Sequence, residues 1–597
     1  MDNQNRNMIL AIALSLVVFI GWYAIFPPEP PQEPTPAEQT AEQREAQEPQ
    51  APTLPQDPVA ERAEALGQTQ RIKVESPLLT GSISVKGGRI DDLHLNAFKE
   101  TIEPGSDTVV LFSPTGSAEP YFATYGWLVA PGSDTPTPNP NTPWQVEGAD
   151  TLTPDSPVTL SWDNGDGLTF RRVISLDDRY MFTIEQTVEN TTDASVSLIP
   201  YGYVARRGTP PDAHNRLVHE GGIGAADGTL TYPGWEDMED FEGVGPNGAR
   251  FEKIDVTETG WIGLTGKYFM AAMVPEFGQP FEAFYRYGTV GQTPEHQTEV
   301  RLPAVDVAAG ETASVTTRLF AGAKEVKTLQ HYRDTLNIPQ FDDAVDWGWF
   351  YFLTKPIFEV LHWLQGHIGN MGWSIILLTC LIKAVLFPLA YKSYVSMSKM
   401  KKLQPEMEAL KKRAGDDRMK LQQEMMALYK KEKVNPAAGC LPILLQIPVF
   451  FSLYKVLTVT LEMRHAPFIW WIHDLSAPDP TSILNLFGLL PWGVPEAGSM
   501  FALLSIGVFP ILMGVTMWLQ QKLNPAPADA TQAMIFAWMP WVFMFMLGSF
   551  ASGLVIYWCA NNILTFAQQY AIMRSQGVDV DVFGNVKRSF KRKKKDA

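Results

Sequence analysis

The chain has 597 residues, of which 45% are hydrophobic and 19% are charged, with a net charge of −17. This composition describes neither a typical soluble protein nor a protein that lies wholly in a membrane, so a mixture of both is expected. Cys380, Cys440 and Cys559 all lie in apolar runs. Their placement argues against a disulfide framework and against thiol catalysis, and it favours small buried side chains.

The amino-terminal segment, residues 1–26, contains nineteen consecutive apolar residues from position 8 to position 26. The run leads directly into Pro27 and Pro28 without a small-x-small cleavage pattern, which favours a retained signal anchor over a cleaved signal peptide. Residues 27–70 are rich in Pro, Glu and Gln and poor in large apolar residues. They are predicted to form a disordered linker.

Residues 71–340 show short alternating runs that are broken by Gly, Asn and Asp, such as LTFRRVISL before Asp177. Period-two patterning repeated over this length predicts a large antiparallel β-sandwich on the far side of the first span. Gly222, Gly224 and Gly228 resemble a nucleotide-binding loop only loosely, and turn glycines are the favoured interpretation. The chain has no HExxH, GxSxG or CxxC motif, and no cofactor or metal site is expected, whereas an enzyme with a carboxylate pair in this domain stays open at this point.

The segment 346–366 is aromatic and is interrupted by Lys355 and Pro356. It is too broken for a confident span and is predicted to be an amphipathic helix in the outer membrane interface. The next run, residues 373–391, is long enough to cross a bilayer and carries one charge, Lys383. Because Thr379 lies one turn earlier, both side chains share a helix face, where a functional site or a snorkelling lysine would fit.

A basic segment, residues 392–435, contains twelve Lys or Arg against six Asp or Glu. Its apolar spacing and the turn signal at Gly415 predict a helical hairpin on the membrane surface. An adaptable binding surface and ordinary hairpin packing both remain open for its methionines. The methionines singled out are Met397, Met400, Met425 and Met426.

Four further apolar runs are predicted to span the membrane, at residues 437–459, 501–521, 534–550 and 551–572. With the first two spans they make six, of which five form a core over residues 372–572. If the amino terminus lies on the cytoplasmic side, counting the spans places the basic hairpin and the tail, residues 573–597, on the cytoplasmic side as well. This orientation satisfies the positive-inside rule.

Several spans carry prolines and uncharged polar residues, including Gln446 and Asn561. Together with Lys383 these residues would line one wet groove, although contacts between helices explain several of them individually.

Several long stretches, in the same order along the chain, resemble the YidC membrane-protein insertases of Gram-negative bacteria, within the YidC/Oxa/Alb family. The resemblance lies in QEMMALYKKEKVNPAAGCLPILLQIPVFFSLY from Gln423, APFIWWIHDLSAPDP from Ala466, PILMGVTMWLQQ from Pro510 and SGLVIYW from Ser552. It implies a polytopic α-helical inner-membrane protein with a large periplasmic β-sandwich domain. It also implies an insertase and chaperone that acts on nascent membrane proteins, alone or with the Sec translocon, without a small-molecule substrate.

The resemblance also assigns candidate groove residues. Lys383 matches a position where an arginine is familiar, and Thr379 matches a functional threonine of the same helix. Tyr557 and Trp558 match a pair of tyrosines, so the second aromatic departs from the pattern, and Ala551 replaces a hinge proline. An additional stretch, residues 481–502, lengthens an outer loop, and its apolar run is too short to span and is expected to touch the membrane face.

The tail ends in a cluster of basic residues. Contact with ribosomal RNA and attraction to anionic membrane lipids are both open interpretations, and a ribosome or signal-recognition targeting complex is an expected partner. A solute transporter and a membrane-anchored carbohydrate-binding or carbohydrate-active protein are the alternatives for the whole chain. The basic residues concerned are Lys591, Arg592, Lys593, Lys594 and Lys595.

Overall fold

The structure is a computed structural model that describes residues 62–129, 135–208, 218–245, 248–415, 417–432, 434, 441–494, 504–524 and 530–578. The predicted signal anchor, most of the linker and the basic cluster at 591–595 lie outside these residues. The end of the linker forms helix α1 (Arg62–Gly67).

A large β domain follows, built from two sheets that share one hydrophobic core. Among the strand pairs that the structure describes, β1 with β7 is parallel and the others are antiparallel, in agreement with the alternating pattern of the sequence. The strands are β1 (Arg71–Glu75), β2 (Leu79–Ser84), β3 (Arg89–Lys99), β4 (Thr108–Phe112), β5 (Tyr121–Val129), β6 (Gln145–Glu147), β7 (Thr151–Leu152), β8 (Val158–Asp163), β9 (Leu168–Leu176), β10 (Met181–Asn190), β11 (Val196–Arg207), β12 (Gly221–Ala226), β13 (Thr229–Thr231), β14 (Gly243–Val244), β15 (Arg250–Val256), β16 (Gly260–Thr265), β17 (Phe269–Pro275), β18 (Phe281–Val290), β19 (Thr293–Arg301), β20 (Val305–Val307) and β21 (Thr312–Ala323).

Within the described residues, the first sheet has the order β14-β15-β18-β19-β11-β5-β3-β2-β1-β7, with β4 beside β3 and β20 beside β11. The second has the order β13-β12-β16-β17-β21-β10-β9-β8-β6. Strand β9 shows why these runs form strands, because each second residue of LTFRRVISL is buried and the others are half-buried. Gly222 and Gly224 lie within β12 against the ring of Tyr285, so they belong to a strand and not to a nucleotide-binding loop.

Arg172 joins the two sheets in the interior of the β domain. Its guanidinium donates hydrogen bonds to the carbonyl oxygens of Tyr125 at 2.7 Å and Gly88 at 3.0 Å, and it lies 4.7 Å from the ring centroid of Trp144. Burial lowers the pKa of Arg172 to about 10. The buried cation is therefore held by carbonyl dipoles and an aromatic face.

Beyond the strands, the regular structure of the described residues is helical. A short helix, α2 (Trp235–Glu239), lies within the β domain, and α3 (Val326–Thr335) and a 3₁₀ turn (Phe341–Ala344) follow its last strand. The remaining helices are α4 (Tyr351–Ile368), α5 (Met371–Lys402), α6 (Gln404–Ala414), α7 (Arg418–Lys431), α8 (Leu441–Val459), α9 (Val508–Gln521), α10 (Ala530–Met546) and α11 (Ser552–Ser575).

Helix α5 is the one described helix that is both long and apolar enough to cross a membrane by length and composition. Shorter apolar helices occupy Gln446–Val459 and Ala533–Ser549. The segment predicted to be an amphipathic helix, residues 346–366, is helical only from Tyr351, where α4 begins, and α4 runs on through Pro356 without a break. Within the described part of the run predicted at 501–521, the α-helix begins at Val508, and Pro510 fits there because the first turn of a helix needs no N–H donor.

The basic segment 392–435 divides differently from a simple two-helix hairpin. Its first eleven residues continue α5, and the chain then breaks at Leu403, just before Pro405, which lacks the N–H that would continue the ladder. The antiparallel pair consists of α6 and α7, and Asp417 caps α7 by accepting from the N–H of Lys420 at 3.0 Å.

The helices have a β-domain end and a hairpin end. At the β-domain end, the loop after α8 contacts the start of α5, where Asn370 donates to the carbonyl of Phe468 at 3.2 Å. The start of α11 contacts the same loop through the N–H of Ser552 and the carbonyl of Ala477, at 2.7 Å. At the hairpin end, Lys402 of α5 donates to the carbonyl of Gln576 after α11, at 2.8 Å.

Asp346 joins the β domain to the helices. Its carboxylate accepts from the backbone N–H of His219 in the β domain at 3.1 Å and from that of Gly348 at 3.2 Å. It also pairs with Lys455 of α8 at 2.5 Å. A second link, Lys327 of α3 to Glu359 of α4, measures 2.7 Å. The β domain is thus fixed at the carboxyl end of α8.

Candidate functional site: the polar cluster around Lys383

Lys383 lies where three helices meet. Its ammonium, on α5, donates to the hydroxyl of Thr565 on α11 at 2.9 Å and to the amide oxygen of Gln446 on α8 at 3.3 Å. The side chain is half-buried. The one lysine in the apolar part of α5 therefore points into the bundle, as the high cost of charge in hydrocarbon requires.

The cluster continues through Gln446, whose amide nitrogen donates to the hydroxyl of Tyr557 at 2.6 Å. Tyr557 is almost completely buried, at 2% exposure. A chain of three hydrogen-bonded groups therefore runs from the ammonium of Lys383 to the tyrosine hydroxyl on α11. The structure brings together these three sequence-predicted residues.

Two further polar side chains, on α8 and α11, have an oxygen that lacks a hydrogen-bond partner within the described part of the chain. Asn561 is one turn before Thr565, whose hydroxyl donates to the Asn561 carbonyl at 2.6 Å. The side-chain oxygens of Asn561 and Ser452 are buried and have no hydrogen-bond partner among the described residues. Buried polar groups without partners are costly, so this region is suited to water or to a polar guest.

Thr379 lies one turn before Lys383, as predicted, but its hydroxyl is not directed at the ammonium. It is buried and donates to the carbonyl of Ile375 on its own helix, at 2.7 Å. Trp558 faces an apolar neighbourhood, with its ring 5.2 Å from Phe450. Its indole N–H has no acceptor within the described part of the chain.

The electrostatic character of the cluster follows from what surrounds Lys383. None of the carboxylates that the structure describes lies within 4.0 Å of its ammonium. Leu381 and Val385, two residues away on either side, project from the opposite face of α5 and are exposed apolar residues. Helix α5 thus carries a positive charge held only by uncharged groups on its bundle-facing side and an apolar surface on its outer side, and the charge can attract an anionic or polar segment.

The hairpin methionines do not form one surface. Met397 is buried against Tyr394 and Ile572 in a small cluster at the hairpin end. Met400 and Met425 are half-buried, whereas Met426 is exposed.

Thr565 is the residue of the polar cluster around Lys383 that the sequence pattern did not single out. Its spacing of four from Asn561 and eight from Tyr557 nevertheless places all three on one helix face.

Two family descriptions match the chain. Residues 363–578 match the 60Kd inner membrane protein family, and residues 71–360 match the YidC periplasmic domain. The β domain and the helical region are thus recognised separately, each over nearly its whole length.

Full-length relatives carry one name. The membrane protein insertase YidC of Jannaschia sp. (strain CCS1) is 54% identical, with 100% of both chains covered. The protein of the same name from Dinoroseobacter shibae is 56% identical over 100% of this chain and 99% of its own. A solved structure of an active YidC insertase, with 16% identity and a TM-score of 0.34, covers 94% of this chain and 99% of its own.

These matches favour neither a solute transporter nor a carbohydrate-binding protein. At such identity over the full length of both chains, the relatives share the family of this protein. The chain therefore belongs to the YidC family of inner-membrane protein insertases, with a periplasmic β domain and a helical inserting region.

Proposed function

We propose that the polar cluster around Lys383 is the groove through which this insertase receives the polar part of a substrate membrane protein. The observation that supports it most directly is the ammonium of Lys383, which lies between α5, α8 and α11 with only uncharged partners. An acidic or polar flank of a nascent segment would pair with this charge. The apolar part would then partition into lipid, where its burial supplies the free energy.

The proposed topology has six spans, formed by the apolar run at 8–26 and by α5, α8, α9, α10 and α11. The β domain lies in the periplasm, and the α6–α7 pair and the tail lie in the cytoplasm. The starts of α5 and α11 both contact the loop after α8, and the end of α5 contacts the residue that follows α11, which supports alternating directions for α5, α8 and α11. The basic character of both inner segments supports the orientation.

The proposed partners follow from the same topology and from the family. Nascent membrane proteins are the substrates, and the Sec translocon, membrane lipids and a ribosome or targeting complex are the partners. The cytoplasmic hairpin and the cluster at 591–595 would meet the ribosome, because clustered positive charge binds phosphate strongly. If deletion of the tail left co-sedimentation with ribosomes at low salt unchanged, the RNA interpretation would be wrong.

The decisive test is complementation of a strain depleted of its own insertase. We expect Lys383→Arg to restore growth, because it keeps a positive charge, and Lys383→Ala and Lys383→Met to fail. Lys392→Ala serves as the control, since it removes an exposed charge from the same helix nine residues later. Full rescue by Lys383→Ala would exclude a role for the groove charge.

Crosslinking tests the location of the substrate. A photoreactive phenylalanine analogue at position 558 replaces one aromatic side chain by another beside the cluster. We expect it to crosslink a nascent membrane protein on a stalled ribosome, whereas the same analogue at Trp363, an exposed residue of α4, should not. Equal adducts from both positions would contradict a groove at this site.

A further inference from the structure

The loop between α8 and α9 contains a segment, residues 483–494, whose exposed side chains are apolar, unlike those of an ordinary surface loop. Its large side chains are exposed, and Leu489 is the most exposed of them at 84%. No Asp, Glu, Lys, Arg or His occurs between positions 481 and 495. We call residues 483–494 the apolar loop. The exposed side chains are Ile483, Leu484, Leu486, Phe487, Leu489, Trp492 and Val494.

The polar groups of the apolar loop are turned inward. Asn485, its one strongly polar side chain, is 8% exposed, accepts from the N–H of Gly488 at 3.0 Å and donates to the carbonyl of Trp492 at 3.4 Å. The indole N–H of Trp492 donates to the carbonyl of Leu484 at 3.0 Å. The loop is thus closed by bonds between its own polar atoms.

The backbone of the apolar loop is also largely satisfied without solvent. Six of the eight N–H groups from Ile483 to Leu490 donate to acceptors within the protein. Examples are Phe487 to the carbonyl of Ser482 at 2.8 Å and Leu490 to that of Asn485 at 3.0 Å. A loop in water has no need of such internal pairing, whereas a segment in contact with hydrocarbon does.

The base of the apolar loop is fixed to the start of α9. The N–H of Ile483 donates to the carbonyl of Ile506 at 2.9 Å, two residues before that helix begins. Asp479 caps the helix by accepting from the N–H of Phe509 at 2.9 Å, and its other oxygen accepts from Thr481 and from the indole of Trp471. The one charge at the base is therefore covered by donors.

Helix α9 is too short to cross a bilayer alone. Its 14 residues extend about 21 Å, against about 30 Å of hydrocarbon. At its hairpin end, Lys522 lies 5.2 Å from the ring of Trp518, a pair typical of a membrane interface. The start of α9 then lies within the hydrocarbon, short of the periplasmic headgroups. The residues that contact lipid next to it must therefore be apolar.

From this geometry we propose that the apolar loop is embedded in the periplasmic leaflet, where it fills the depth between the start of α9 and the headgroups. Its occupant is lipid, at the boundary of headgroups and acyl chains. The loop extends the lipid-facing surface of α9 and anchors the amino-terminal end of this short helix in the membrane. This role is independent of Lys383 and of substrate capture.

Fluorescence quenching in proteoliposomes tests the proposal. The full chain, with Cys380, Cys440 and Cys559 each replaced by Ala, carries an environment-sensitive nitrobenzoxadiazole label at Leu489→Cys. The control is Phe277→Cys, an exposed apolar position in the turn between β17 and β18. We expect lipids with a nitroxide near the headgroup to quench the label at position 489 at least twofold more than that at 277, and iodide on both sides to show the reverse.

Two outcomes would overturn the proposal. Equal quenching by iodide at both positions would place the apolar loop in water. Protection of position 489 from both iodide and lipid would mean that a second copy or another protein covers it. The same measurement at Val494→Cys, another exposed apolar position of the loop, provides an independent reading if the label at 489 disturbs the fold, which the thermal unfolding midpoint of the labelled protein would reveal.

Discussion

Lys383 carries its charge among uncharged partners, and the identity of those partners sets how the residue can act. A hydroxyl and an amide oxygen solvate the ammonium partly but do not neutralise it. A carboxylate in either position would compete with any acidic substrate group, because opposite charges attract strongly in a partly buried site. In the proposed groove, the charge would remain available for substrate because its neighbours are dipoles.

The substitution Gln446→Glu tests this directly. It would place a carboxylate oxygen about where the amide oxygen lies, 3.3 Å from the ammonium of Lys383. We expect the rate of substrate insertion into vesicles to fall at least tenfold, a change of about 1.4 kcal/mol. Gln446→Leu is the control, since it removes the same amide contacts without adding charge and should lose less activity than Gln446→Glu. A similar loss in both variants would point to packing and not to charge.

The backbone of the hinge between α10 and α11 has the conformation that a proline requires. Ala551 has φ −50°, and Phe550 before it is extended, with φ −83° and ψ 161°. Both conformations suit an X-Pro pair. Among the hydrogen bonds of the described residues, none is donated by the N–H of Ala551. The alanine therefore occupies a backbone that a proline would leave unchanged.

We expect Ala551→Pro to stabilise the protein by about 0.4–1 kcal/mol, because it restricts the unfolded chain without straining the folded one. The measurement is the midpoint of thermal unfolding in detergent. Ala560→Pro, in the middle of α11, is the matched control and should destabilise by about 3 kcal/mol. A lower midpoint for Ala551→Pro would show that the hinge needs its N–H.

The sequence predicted the type of most elements but not their ends or mutual contacts. Apolar runs and period-two alternation are local signals, so the helices and the two antiparallel sheets were accessible to it. Helix α5 continues beyond the apolar run to Lys402, because backbone hydrogen bonds do not end where hydrophobicity does. The partner of Lys383 across 182 residues, Thr565, depends on helix rotation and packing, which no local pattern encodes.

For the whole molecule, the junction at Asp346 decides whether the β domain and the helices behave as one unit. Removing its carboxylate breaks three contacts, to the backbones of His219 and Gly348 and to Lys455. We expect Asp346→Ala to lower stability by about 1–3 kcal/mol and to separate one calorimetric transition into two. Glu276→Ala, which affects only an exposed pair with Arg318 at 3.6 Å, should leave a single transition.

The junction also confers a dependence on pH. Glu462, after α8, has a carboxylate oxygen without a partner among the described residues, and burial raises its pKa to about 7 from 4.5. Glu325, Lys327 and Glu359 are the charged groups that act on it. Because the folded protein binds this proton more tightly, the stabilisation is fully present below pH 4.5 and is lost as the pH rises through 7.

Glu462→Gln should flatten this dependence, since it keeps the shape of the protonated side chain. We expect the thermal midpoint of the unsubstituted protein to fall relative to that of the variant between pH 5 and pH 8. Glu276→Gln controls for general titration of surface carboxylates. An identical pH profile for Glu462→Gln and the unsubstituted protein would mean that Glu462 is ionised in the folded state throughout this range.

The uncharged partners of Lys383 also bear on how long a substrate stays. In the proposed groove, the ammonium would return to Thr565 and Gln446 when an acidic segment leaves, instead of being left without a partner in an apolar site. These alternative hydrogen bonds would lower the barrier to dissociation as well as the net affinity. A protein that releases each substrate into lipid needs a brief residence time, and this hydroxyl and amide would supply the exchange partners that keep it brief.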